Sequence, residues 1–257
     1  MTRYPDIPDS DSPDVECFEA LPDDTFEAIG SLTDTIRRII KEQQEPPIDV
    51  IKYLCFTNVP VRVAEKANVK VSRSLNSAVL NAVYDMRLHQ SIYPVGSQGV
   101  RGISSSKQPD ESWVPTQYIP GRDEKWPTVT AEVGVADSYR KLRADAEWWL
   151  TNSKGDVKLV IIVSINRKTP NIRFEAVVLD PAISSHQGYI PTIRQSITTF
   201  RQPTQPNARI TVRPAVALTI KFQDLFCYRP VPPEHNIEIS PDQLANISSD
   251  VWMRQGL

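Results

Sequence analysis

The chain has 257 residues, 40% hydrophobic and 23% charged, with 22 prolines and 9 glycines. That balance suits a folded chain and excludes collagen, a long coiled coil and wholesale disorder. No stretch approaches the roughly 18 apolar residues of a membrane span, and the N-terminus lacks the basic start and apolar run of a secretory signal. Residues 1–50 carry 13 acidic against 4 basic side chains, a net of −9, which leaves +7 on the remainder. An acidic arm on a mildly basic body is compatible with a polyanion-binding surface, and equally with ordinary solvated charge.

Residues 1–22, rich in Asp, Pro and Ser, read as a disordered arm. Phe26, Ile29, Leu32 and Ile36 recur at helical spacing and predict a helix over 25–44, stopped by Glu45-Pro46-Pro47. The run at 48–56 fits a strand or a short helix, and 60–72 is ambiguous. A second helix is predicted over 73–89, with Leu75, Val79, Leu80, Val83 and Met86 on one face. Extended chain follows from 97, then a turn at Pro120-Gly121-Arg122-Asp123.

WPTVTAEVGV, 126–135, alternates and is β-branched, as a strand requires. Asp137 or Ser138 can cap a helix over 139–152 that presents Tyr139, Leu142, Ala146, Trp149 and Leu150 together. VKLVIIVSI, 157–165, has the continuous apolar run of a buried central strand, and 171–180 is its hairpin partner. After a loop at 181–190, strands are predicted over 193–200 and 208–222, and Ser240-Pro241 open a helix over 241–255. The whole is an α/β chain with a central mixed β-sheet flanked by helices, N-terminal helices before it and extra strands after it. It divides into the arm at 1–22, the main domain at 23–230 and a C-terminal extension at 231–257.

The chemistry concentrates in 109–150. Asp110 sits on one extended segment and Glu132 lies inside the next strand. Two antiparallel strands that share a face can bring such carboxylates to one spot. Like charges held that close need a proton or a cation, and Mg²⁺ binds through one or two carboxylates with water and substrate phosphate. A site of that kind hydrolyses phosphodiesters. The alternative is that Glu132 pairs with Arg140 or Arg143, or faces solvent.

Elsewhere the candidates are weaker. His89, His186 and His235 are scattered, and Cys17, Cys55 and Cys227 form no C-x-x-C pair, which excludes a disulfide scaffold or cysteine-built zinc site and points to an intracellular, reducing compartment, nuclear or cytoplasmic. Adjacent Trp148 and Trp149 cannot face the same way, so one is core and its neighbour covers a surface. The pairs Arg37-Arg38 and Arg167-Lys168 fit phosphate contact or plain solvated charge.

PDESW, followed by WPTVTAEVGVADSYRKLRADAEWWLTNSKGDVKLVIIVSI, resembles the restriction-endonuclease-like PD-(D/E)XK nuclease superfamily. It is most similar to fungal members in which a PD segment precedes an EVG strand and a WWL helix. The resemblance spans about 75–180 and implies Asp110 and Glu132 as Mg²⁺ ligands, with Mn²⁺ able to substitute. The motif's lysine should stand two residues after the glutamate, where this chain has Gly134. Lys141 on the following helix takes its place in this reading, ahead of Arg140 and Arg143. The superfamily's helix acid has only Asp85 and Glu27 as candidates. Two functions follow: metal-dependent hydrolysis of DNA or RNA, or a catalytically inactive module that binds nucleic acid or a protein partner. A homodimer through the C-terminal strands is the remaining partner reading.

Overall fold

A computed structural model describes residues 61–103, 105–135, 139–185, 188–202 and 208–257. The predicted arm, the helix at 25–44 and the run at 48–56 lie outside the described residues, as do Glu27, Arg37, Arg38, Cys17, Cys55, His186 and the capping pair Asp137 and Ser138. Val59–Leu257 forms one compact unit.

Its elements, in chain order, are α1 (Val61–Asp85), β1 (Ile92–Pro94), β2 (Val100–Arg101), β3 (Ser106–Lys107), β4 (Glu111–Pro115), β5 (Val129–Val135), α2 (Tyr139–Asn152) and β6 (Leu159–Ile165). There follow β7 (Asn171–Ser185), β8 (Gly188–Phe200), β9 (Thr211–Arg213), β10 (Leu218–Ile220), α3 (Phe222–Phe226), β11 (Ile237–Ile239) and α4 (Pro241–Gln255). A seven-stranded sheet runs β1-β4-β5-β6-β7-β8-β9. Only β5 and β6 pair in parallel; the remaining neighbours are antiparallel. A parallel pair needs a crossover, and α2 supplies it.

The fold follows from patterning. β6 reads LVIIVSI and lies fourth of seven, buried on both faces. Leu159, Ile161, Val163 and Ile165 pack toward α1, α3 and α4, while Val160 and Ile162 pack under α2. On α1, Ala67, Val71, Leu75, Val79 and Val83 repeat at four-residue spacing and are wholly buried. On α2, Leu142, Ala146, Trp149 and Leu150 form the buried stripe.

Several expectations change. The helix predicted over 73–89 is α1, which begins at Val61 and ends at Asp85. β-branched residues at 61, 63, 69 and 71 weaken the local helical signal, yet Ala67 and Val71 continue the buried stripe. The predicted loop at 181–190 is strand: β7 runs to Ser185 and β8 begins at Gly188, with register shifts between Leu179 and Ser184. The register shift absorbs Pro181 without ending the ladder, and Gly188 opens β8 opposite Ser185. The single strand predicted over 208–222 is β9 and β10, separated around Pro214, with α3 starting at Phe222. The C-terminal residues are part of the body: β11 pairs with β10, and Leu244, Ile247, Val251 and Trp252 of α4 join the core under the sheet. Ser240 caps α4 with a reciprocal Gln243 contact and Pro241 at the first turn, as its sequence indicates.

Candidate active site

β4 and β5 pair antiparallel with Glu111 opposite Ala131, so Asp110 stands opposite Glu132 one residue farther on. The Asp110 N–H donates to Ala131 O at 3.0 Å. Beyond that point the ladder stops, and the Asp110 carboxylate takes its place by accepting the Val133 N–H at 2.7 Å. This fixes the Asp110 carboxylate against β5 beside Glu132. The two residues are brought together as their spacing suggests.

Glu132 is buried. One carboxylate oxygen accepts the indole N–H of Trp149 at 2.5 Å. Burial pushes its carboxyl up to about 8, and the Asp110 charge pushes the same way. The Trp149 hydrogen bond opposes the shift, Asp145 adds to it and Lys107 counters it. Glu132 therefore sits among charges, and neither Arg140 nor Arg143 is its partner.

The opposing wall comes from α2. Lys141, Asp145 and Trp149 follow at four-residue intervals and so share a face. Asp145 is buried and accepts from two lysines. Lys141 Nζ donates to one oxygen at 2.8 Å, and Lys107, on β3, pairs with the other. Lys141 is 62% exposed at its side chain and Lys107 19%. Burial works to lower the Lys141 ammonium, but the Asp145 hydrogen bond and the charges of Asp145, Glu132 and Asp110 raise it overall.

Two tryptophans divide as expected: Trp149 is fully buried, and Trp148 is half-buried over the β2–β3 hairpin. Trp149 does more than pack, since it holds Glu132. Their rings meet edge-on at 5.0 Å, and Trp126 joins both.

A further buried carboxylate, Glu175 on β7, shares this face, since Glu132, Ile162 and Glu175 lie in one cross-strand row. It accepts from the Tyr139 hydroxyl at 3.0 Å and from Ser196 Oγ at 3.3 Å. Burial and Glu175 together raise the Tyr139 hydroxyl. Asp85, by contrast, is exposed and lines a cleft of about 500 Å³ with His235 and Glu238, not with Asp110 and Glu132.

Sequence reasoning missed Lys107, Asp145 and Glu175. Asp145 was legible from the Lys141, Asp145, Trp149 spacing. Lys107 and Glu175 reach the face only through tertiary pairing.

No family model and no curated protein matches the chain. Among solved structures it is similar to a candidate nuclease belonging to DUF820 from Anabaena variabilis, at 14% identity and a TM-score of 0.37, over 71% of this chain and 82% of that one.

A divalent cation is the group this pair can hold. The donors are all carboxylate oxygen, which is hard-cation chemistry. Among the described residues no three His, Cys, Asp or Glu side chains converge as a metal cage. No helix among the described residues is long and apolar enough to cross a membrane.

Proposed function

We propose that this chain is a metal-dependent phosphodiester hydrolase acting on DNA or RNA, with Asp110 and Glu132 holding Mg²⁺ or Mn²⁺. The observation that carries the reading is the opposition of Asp110 to Glu132 across β4 and β5. A buried glutamate beside a second carboxylate is costly without a compensating cation. When bound, the metal supplies an activated water and charge stabilisation on the phosphate.

The chain's residues then have defined tasks. Asp110 is held by the Val133 N–H, and Trp149 holds one oxygen of Glu132 and leaves the other for the metal. The ammonium groups gathered at Asp145 offset the charge that builds on phosphate. In the reaction the water oxygen bonds to phosphorus and the bond to one sugar oxygen breaks. One water proton ends on that leaving hydroxyl, and the other is lost from the new phosphomonoester or stays on it. Lys141 enters this reading as the lysine implied by the resemblance, with Arg140 and Arg143 behind it.

The second reading is an inactive module of the same fold, favoured by Gly134 in the motif's lysine position. Cleavage of labelled single- and double-stranded DNA and RNA in Mg²⁺ and Mn²⁺ separates the two. The hydrolase reading expects metal-dependent cleavage that D110N and E132Q abolish. Binding of nucleic acid without cleavage by any folded preparation supports the module instead.

A further inference from the structure

The strand position that should carry the site's lysine is Gly134, and Lys141, its replacement by resemblance, is largely exposed. The structure brings a second, less exposed lysine to Asp145 on the same wall, and its charge acts on Glu132. Lys107 ends β3, the second strand of a short hairpin that closes from Val100↔Lys107 to Arg101↔Ser106. Its ammonium pairs with buried Asp145 and lies 5.8 Å from the Trp148 ring centre. Trp148 packs on Trp149, whose indole holds Glu132.

The hairpin is fastened for this placement. Gly102 lies so close to α2 that a Cβ there would meet Trp148 Cζ2 at 2.7 Å and Asn152 Oδ1 at 3.0 Å. Trp148 Nε1 donates to Ser105 Oγ at 2.8 Å, and the Gly102 N–H donates to Ser105 O at 2.8 Å. A two-residue strand pair has little stability of its own. These contacts with α2 are what hold it in position.

We infer that Lys107, delivered by the β2–β3 hairpin and anchored by Asp145, is the cation that stabilises phosphate charge in this site, in place of a lysine at 134 and ahead of Lys141. A half-buried ammonium at a fixed place acts in a lower dielectric than an exposed one and needs less reorganisation as charge develops. Gly102 is the hinge of the assignment, since only a residue without Cβ lets the hairpin approach Trp148 so closely. The inference rests on the hydrolase reading and falls with it.

The test compares wild type with K107M, K107R, K141M and G102A in the full chain, following metal-dependent cleavage and Mn²⁺ binding. K107M leaves Asp145 without its buried partner and can lose the fold, so K107M/D145N and D145N accompany it. The expected result is a loss of about 10²-fold or more in kcat for K107M and for K107M/D145N relative to wild type, with KM and Mn²⁺ affinity held and D145N, which frees Lys107 from its anchor, losing rate as well. K107R should recover part of the rate, since it restores charge but not ammonium geometry. G102A should lower kcat without altering any charged group, and K141M should cost no more than about tenfold. If wild type cleaves and a folded K107M or K107M/D145N keeps its rate, or K141M loses more than K107M, the inference is overturned and the hydrolase reading stands. If folded wild type binds no Mn²⁺ and cleaves nothing, both fall together.

Discussion

The Lys107–Asp145–Lys141 triad makes a quantitative prediction about stability, independent of any chemistry. The Asp145 side chain is 10% exposed, and its two cations differ threefold in exposure. Removing the partner of a buried ion leaves an uncompensated charge, at about 3–5 kcal/mol. K107M should therefore cost about 3 kcal/mol, toward the low end because Lys141 still touches Asp145. K141M removes an exposed i,i+4 pair worth about 0–1 kcal/mol. In K107M/D145N both ends go together, and the double variant should lie within about 1 kcal/mol of wild type. For a domain of this size the K107M penalty corresponds to a fall of about 6–12 °C in Tm. Urea melts of wild type, K107M, D145N and K107M/D145N close the double-mutant cycle, with K141M measured beside them. The K141M effect should also fade at high salt, where exposed charges are screened, and the K107M effect should persist. Equal losses for the two lysines, or additive losses for K107M and D145N, would refute the assignment of Lys107 as the buried partner.

Other consequences follow from single contacts. In metal-free buffer, Glu132 keeps its proton to about pH 8 in the folded chain against an ordinary value of 4.5. The folded state then binds more protons than the unfolded state between those values, so its contribution is complete below pH 4.5 and is lost as pH rises through about 8. E132Q should remove this slope, worth about 5 kcal/mol at most, as read from denaturant melts across pH; a wild-type profile that E132Q leaves unchanged would contradict the burial of Glu132. W149F deletes the N–H that holds Glu132 and should cost about 2–3 kcal/mol, measured by urea midpoint. S240A removes the α4 cap and should cost about 1 kcal/mol; no loss would mean that the cap contributes nothing.

The sheet's centre was legible because its strands declare themselves by patterning. β6 is apolar on both faces, β5 alternates, and α2 occupies 139–152 as its spacing indicates. The opposition of Asp110 and Glu132 was legible too, because two short segments joined by a turn leave few registers that share a face. What escaped the sequence depends on distant pairing. The ambiguous start of α1 is settled by burial of Ala67 and Val71 against the sheet. Pro181 looks like a loop former until a register shift carries β7 past it, and Gly188 until it opens β8 opposite Ser185. Lys107 sits in SSSKQPDE with no periodicity to mark it, and only the docking of the hairpin on Trp148 brings it to Asp145. Glu175 reads as one polar residue in a strand until β6 aligns it with Glu132.

Calorimetric Mn²⁺ titration of the full chain beside D110N and E132Q decides whether the two carboxylates hold a metal. The wild type should show a single saturable site, lost or weakened by at least about tenfold in each variant while their melts remain cooperative. Equal Mn²⁺ binding by all three proteins, or none by a folded wild type, would contradict a metal site at Asp110 and Glu132.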